Sequence, residues 1–208
     1  SLGLVGSEMC IRDRFRLKPR DNPDVNKWWM CDQGRLTYKD LNIRENRIAY
    51  PLGKTAEGFQ EISWENAFSA IQEKISELQP TSNEVIGLVD THASNEELYL
   101  FKKLLKEGFD SDQLFFPDLE WEQPVSDFFI NSLITSDKSP NRAGARMLGL
   151  KGAKSSEEVT SKIPTGTKVL LVFGNPFEDE NLLSQACNIS LVINIAAWQS
   201  GWSETADV

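Results

Sequence analysis

Glu84-Val-Ile-Gly-Leu-Val-Asp90, followed by Ser94-Asn-Glu-Glu97 and an apolar stripe running to Gly108, decides the fold class of this chain. An uninterrupted apolar run with no polar face suits a strand covered on both sides, which is how parallel sheets are buried. Ser94 with Glu97 three residues on is a capping box, in which hydroxyl and carboxylate each bond the other residue's amide. Leu98, Phe101, Leu104 and Leu105 then repeat at helical spacing towards one side, and Gly108 is placed to stop the helix. A buried strand feeding an amphipathic helix opens a βαβ unit.

The rhythm continues downstream. Residues 113–116 read as a strand, 128–135 as another apolar segment, and 141–150 as a short helix or loop closing at Gly149. Residues 155–162 read as a short helix, and Lys168-Val-Leu-Leu-Val-Phe173 is the clearest strand of the chain. After Gly174-Asn-Pro176 a helix is expected over 179–186 and a last strand over 189–195. Upstream, Ser63 caps a helix whose stripe is Ala67, Phe68, Ile71, Ile75 and Leu78, ended by Pro80. From Phe15 to about Phe59 only short extended pieces, 15–18 and 47–50, are joined by turns. The expected fold is α/β, a doubly wound parallel sheet with a small irregular β-containing N-terminal part, and ligands would sit at the carboxyl ends of the strands.

Composition sets limits on function. The chain has 208 residues, 40% of them hydrophobic and a quarter charged, with a net charge of −9. A pI near 4.8 argues against nucleic acid, which asks for a concentrated basic face. No apolar run approaches the roughly 20 residues of a membrane helix. Three scattered cysteines do not form a secreted disulfide framework and suit a reducing compartment.

Residues 1–14 stand apart. Ser1-Leu-Gly-Leu-Val-Gly-Ser-Glu-Met-Cys10 lacks the basic start of a signal peptide and resembles translated sequencing-adapter read-through, which would make Cys10 meaningless. The division expected is 1–14 non-native, 15–60 the end of an iron–sulfur, β-rich subdomain, and 61–208 an α/β domain that stops in mid-pattern. Within the second part, Asp21-Asn-Pro-Asp24 is turn chemistry leading to Trp28-Trp29-Met30-Cys31, and Gly34 frees the chain to turn again. A thiolate beside aromatics and flanked by Lys27 and Arg35 suits an iron–sulfur ligand. The same residues also read as a small apolar cysteine in a core.

Pro19-Arg-Asp-Asn-Pro-Asp-Val-Asn26 with Trp29-Met-Cys-Asp-Gln-Gly-Arg35 resembles the family of the largest peripheral-arm subunit of NADH-quinone oxidoreductase, respiratory complex I. The likeness lies in the molybdopterin-oxidoreductase-like portion of that large subunit. Trp64 to Ala67, Asn95-Glu-Glu97, Asp137 to Gly149, Gly174-Asn-Pro176 and Thr205-Ala-Asp-Val208 carry it to the end of the chain. The resemblance implies that Cys31 is the last ligand of a 4Fe–4S cluster in the parent, with Asp32, Gly34 and Arg35 around it. The Cys-x-x-Cys-x-x-x-Cys run that supplies the other three ligands is absent here, so the chain alone is expected to hold no cluster and to be catalytically silent. The implied parent passes electrons from NADH towards quinone. It docks on other peripheral-arm subunits of complex I and is cytoplasmic, peripheral to the inner face of the plasma membrane, with this portion mainly structural.

Two rivals stand beside that reading. One is a molybdopterin oxidoreductase such as an NAD-linked formate dehydrogenase, in which Gly174, Asn175 and Gly144 would touch the pterin. Against it, Gln33 stands where such enzymes carry a lysine, and Glu178-Asp-Glu180 puts carboxylates where a helix start would receive a pyrophosphate. The other rival is an assembly scaffold with no cofactor. His92, the single histidine, follows a strand with no nucleophile or second metal ligand near it in sequence and reads as a loop residue. Arg142 and Arg146 read either as anion contacts or as parts of an ordered crossing loop. Phe115, Phe116, Trp121, Phe128 and Phe129 read as core or as a face for a neighbouring subunit.

Overall fold

The alternation of buried strands and capped helices is realised in a computed structural model that describes residues 5–10, 13–24, 27–30, 32–43, 45–119 and 139–208. The chain divides into two units, Ser1–Arg47 and Ile48–Val208. Cys31, Trp121, Phe128, Phe129, Asp137 and the apolar segment expected over 128–135 lie outside the described residues.

In the first unit, β1 (Val5–Cys10) pairs antiparallel with β2 (Asp13–Pro19). The expected turn is present: Asp24 N–H donates to Asn22 Oδ1 at 3.1 Å, and Asn22 and Lys27 exchange backbone bonds. Two short helices that the sequence reading lacked follow, α1 (Asp32–Leu36) and α2 (Tyr38–Asn42). Gly34 therefore lies inside a helix rather than at a turn. Trp28 and Trp29 are largely exposed.

The second unit starts with a hairpin, β3 (Leu52–Thr55) and β4 (Gly58–Glu61), where extended chain had been expected only over 47–50. Helix α3 (Trp64–Leu78) follows its Ser63 cap and ends at Gln79, which takes the left-handed conformation before Pro80. Strand β5 (Val85–Val89) is buried throughout, and α4 (Asn95–Phe109) opens on the expected box. Gly108 does not stop α4; the helix runs one residue further and Asp110 takes the left-handed position, φ 52°. After β6 (Leu114–Pro117) come α5 (Arg142–Met147), β7 (Lys151–Ala153), α6 (Ser156–Lys162) and β8 (Val169–Phe173). Helix α7 (Glu180–Ala186), β9 (Leu191–Ile195) and α8 (Gly201–Thr205) complete the series.

Five of these strands form one parallel sheet in the order β7-β6-β5-β8-β9. Side chains alternate across it, as the two-residue period of a strand requires. Val85, Val89, Val169 and Leu171 meet α3, α4 and α5 on one face, while Ile86, Leu88, Leu170 and Val172 meet α6, α7 and α8 on the other. Both faces are buried, which is why these strands carry no polar side. The doubly wound α/β class expected from the sequence is the class observed.

Candidate functional site

The chain leaves β5 towards β6 and β7 on one side of the sheet, then crosses back to lay β8 on the other side. The loops after β5 and β8 therefore diverge, and a crevice opens at the carboxyl ends, where doubly wound sheets bind ligands. It has a volume of about 520 Å³ and is lined by Asp90, Thr91 and His92 after β5, by Lys154 and Ser155 after β7, and by Asn175, Glu178 and Asp179 after β8.

Gly174 sits behind this crevice and is committed to the fold. Its φ is +76°, and a Cβ there would lie 2.8 Å from Asp90 Cβ. Its N–H donates to Ile195 O at 2.9 Å, and its carbonyl accepts from Asn194 Nδ2 at 3.1 Å. Gly144 has a different role. It lets α5 approach the start of α4, where an added Cβ would collide with Asn95 Oδ1 and Asn141 Oδ1. Asn141 Nδ2 bonds Ala93 O and Asn95 Oδ1 there, at 2.9 and 3.0 Å.

The helix starts around the crevice are occupied by side chains of this chain. Asp179 Oδ1 accepts from Asn181 N at 3.0 Å and Leu182 N at 3.3 Å, capping α7. Glu178 Oε1 accepts from Gly201 N, the first residue of α8, at 2.8 Å, while Asn175 Nδ2 donates to its Oε2 at 2.7 Å. Ser155 caps α6 through Glu158 N, and Glu158 Oε2 takes Lys154 N. Ser94 and Glu97 close the start of α4. Carboxylates thus fill the positions at which a helix dipole and its open amides would draw a phosphate.

Asn175 and then Gly201 hold the Glu178 carboxyl below its ordinary value of 4.5, with burial opposing. A carboxylate lowered in this way stabilises the fold above its unfolded pKa, and the contribution is lost as pH falls through the folded value. Glu178→Gln is expected to flatten the acid limb of a stability–pH curve below about pH 4.5, modestly because the group is largely open to solvent. Urea denaturation at a series of pH values reads this, and an unaltered acid limb would contradict it.

His92 is exposed, and its Nδ1 lies 2.8 Å from Asp90 Oδ1, which also accepts from His92 N at 3.1 Å. This arrangement fixes the ring against the loop. Arg142 and Arg146 are used in the crossing: Arg146 makes a two-pronged pair with Asp118 at 2.8 and 3.2 Å, and Arg142 donates to Leu119 O at 3.0 Å. Phe115 and Phe116 are core residues.

For metals, the donor set is thin. Among the described residues no group of three or more His, Cys, Asp or Glu could hold an ion. Asp32 and Arg35 lie in α1, 3.9 Å apart and exposed, and Cys187 is an exposed thiol just after α7. A cubane asks for a cysteine on each iron, and three cysteines do not supply that set. Sequence reasoning missed the Glu178–Gly201 closure, because the short α8 carries no strong apolar period; its signal was Ser200 ahead of Gly201-Trp202. No helix of the described residues is long and apolar enough to cross a membrane.

Comparison with known proteins places these features. The family described as Molybdopterin oxidoreductase matches residues 47–118. The NADH-ubiquinone oxidoreductase 75 kDa subunit of Reclinomonas americana is 35% identical over 105 residues, 49% of this chain and 15% of that protein. The mitochondrial NADH dehydrogenase [ubiquinone] iron-sulfur protein 1 of Solanum tuberosum is 31% identical over 106 residues, 49% of this chain and 14% of that protein. The mitochondrial NADH-ubiquinone oxidoreductase 78 kDa subunit of Candida albicans is 29% identical over 108 residues, 50% of this chain and 15% of that protein. The matched region spans only about 15% of such relatives. The chain thus carries a molybdopterin oxidoreductase segment at residues 47–118 and is homologous, over about half its length, to the 75 kDa subunit of NADH-ubiquinone oxidoreductase and its counterparts in NADH-quinone oxidoreductases.

Proposed function

We propose that the chain is part of an iron–sulfur electron-transfer subunit of an NADH-quinone oxidoreductase, passing electrons from NADH towards quinone, in which this α/β portion is a support and not a pterin site. The observation that carries the second half is the occupation of the helix starts by Glu178 and Asp179. With Asp90 beside them, three carboxylates face Lys154 and His92 in the crevice. A pyrophosphate entering it would meet net negative charge and amides already bonded. The residues present do not fit a pterin dinucleotide.

The first half rests on the relatives' printed names, one of which is an iron–sulfur protein. In this reading Cys31 is a cluster ligand completed by cysteines the chain does not hold, and 15–60 is the end of a cluster-bearing subdomain leading into 61–208. The partners are other peripheral-arm subunits, and the protein lies on the cytoplasmic face of the membrane through them.

Titration calorimetry of the chain with inorganic pyrophosphate tests the support role. No saturable heat is expected up to millimolar ligand. Micromolar binding that is lost on adding charge at the crevice, in Ser155→Asp, would overturn it.

A further inference from the structure

The apolar stripe of α3 is covered on one side only. Ile71, Ile75 and Leu78 pack on the sheet, but Trp64 and Phe68 face outward. Together with Tyr50, Phe59, Leu104 and Ile195 they line a groove of about 520 Å³. These six side chains are between 38% and 64% exposed. A contiguous apolar surface of this kind, built largely of aromatics, marks a place where something docks.

The edge of the sheet beside the groove indicates what docks. Val192 O accepts from Asp207 N at 2.8 Å, and Asn194 N donates to Val208 O at 3.0 Å, so the last residues start a strand running parallel to β9. On their other side Lys54 N of β3 donates to Asp207 O at 2.9 Å. The slot between β9 and β3 is therefore one strand wide, and this chain has already entered it. Among the described residues, residues 206–208 pair the outer edge of β9 only at Val192 and Asn194. The relatives are also far longer than the region they share with this chain, which is 15% of the Reclinomonas americana protein.

We propose that the groove and the open edge of β9 seat the polypeptide segment that follows Val208 in the complete reading frame, extended and parallel to β9, with its apolar side chains over Trp64 and Phe68. A strand continuing from Val208 extends a ladder already begun, whereas a separate chain would have to abut it. The inference rests on the relatives' length and on this edge, and it stands or falls independently of electron transfer.

Hydroxyl-radical footprinting with mass spectrometry reads the exposure of Trp64 and Phe68 directly. The present chain and the protein of the complete reading frame are labelled side by side at two concentrations. The expected result is strong labelling of both residues in the present chain at either concentration, and loss of most of it in the longer protein. Equal labelling in the two proteins overturns the proposal, as does a reading frame that stops at Val208. Protection of the present chain at the higher concentration overturns it in favour of a second copy. Protection of the longer protein that appears only when other subunits are added overturns it in favour of a partner.

Discussion

Trp202→Ala is expected to lower the stability of the Ile48–Val208 unit by about 3–5 kcal/mol, as truncation of a buried tryptophan does. Trp202 is fully buried among Val159, Leu182 and Ala186, and its Nε1 donates to Pro176 O at 2.7 Å. The side chain thus holds α8 against the loop that leaves β8. Truncation opens a cavity and strips a buried carbonyl of its donor in one step. Trp202→Phe retains much of the volume and loses the donor, so it should cost less, about 1–3 kcal/mol for the unmet carbonyl. Urea denaturation of the three proteins measures both numbers. A Trp202→Ala protein within about 0.5 kcal/mol of the parent would contradict the packing described.

Gly174→Ala is the second large effect. A left-handed φ costs a residue with a Cβ about 1–2 kcal/mol, and forcing atoms into a packed site adds about 1–3 kcal/mol. Both apply here, because φ is +76° and the new Cβ would lie 2.8 Å from Asp90 Cβ. Gly58→Ala separates the two terms. Gly58 also has a positive φ, +119°, but nothing lies within 4 Å of its added Cβ. The alanine at 174 is expected to be the more damaging by the collision term, and equal losses at the two sites would show that the close approach to Asp90 is not under load. Because Gly174 joins the two diverging loops, its substitution should also disturb the crevice, which the amide signals of Asp90 and His92 would report by NMR.

These two residues illustrate what was legible in the sequence. Gly174 was visible as a turn after the clearest strand, since an apolar run ending at Gly-Asn-Pro has one reading. Trp202 was not visible, because α8 is five residues long and a single aromatic sets no period. The strands at 85–89 and 169–173 announced themselves because both of their faces are buried and no polar residue interrupts them. Strand β7, three residues beginning with an exposed lysine, gave no such signal.

Helical stripes were legible as stripes but not as contacts. Leu104 and Phe68 occupy apolar positions on their helices, yet they are 46% and 62% exposed, because what covers a stripe is decided by neighbours and not by spacing. Gly108 failed as a stop for a related reason: a glycine permits a helix end, while the end fell where Asp110 N–H could reach the Leu105 and Lys106 carbonyls. At the site, the carboxylates of Glu178 and Asp179 were readable as helix-start chemistry from local order alone. That Glu178 serves α8, 23 residues away, required the fold. Arg142 and Arg146 were left between anion contacts and an ordered crossing, and their bonds to Leu119 and Asp118 place them in the crossing.

The most direct test of the functional account is the metal content of the protein encoded by the complete reading frame, purified without oxygen. Iron and acid-labile sulfide without molybdenum or tungsten are the predicted result, because the crevice at the switch point is closed by its own carboxylates and the relatives include an iron–sulfur protein. Molybdenum or tungsten in near-equal amount with the chain would contradict the account.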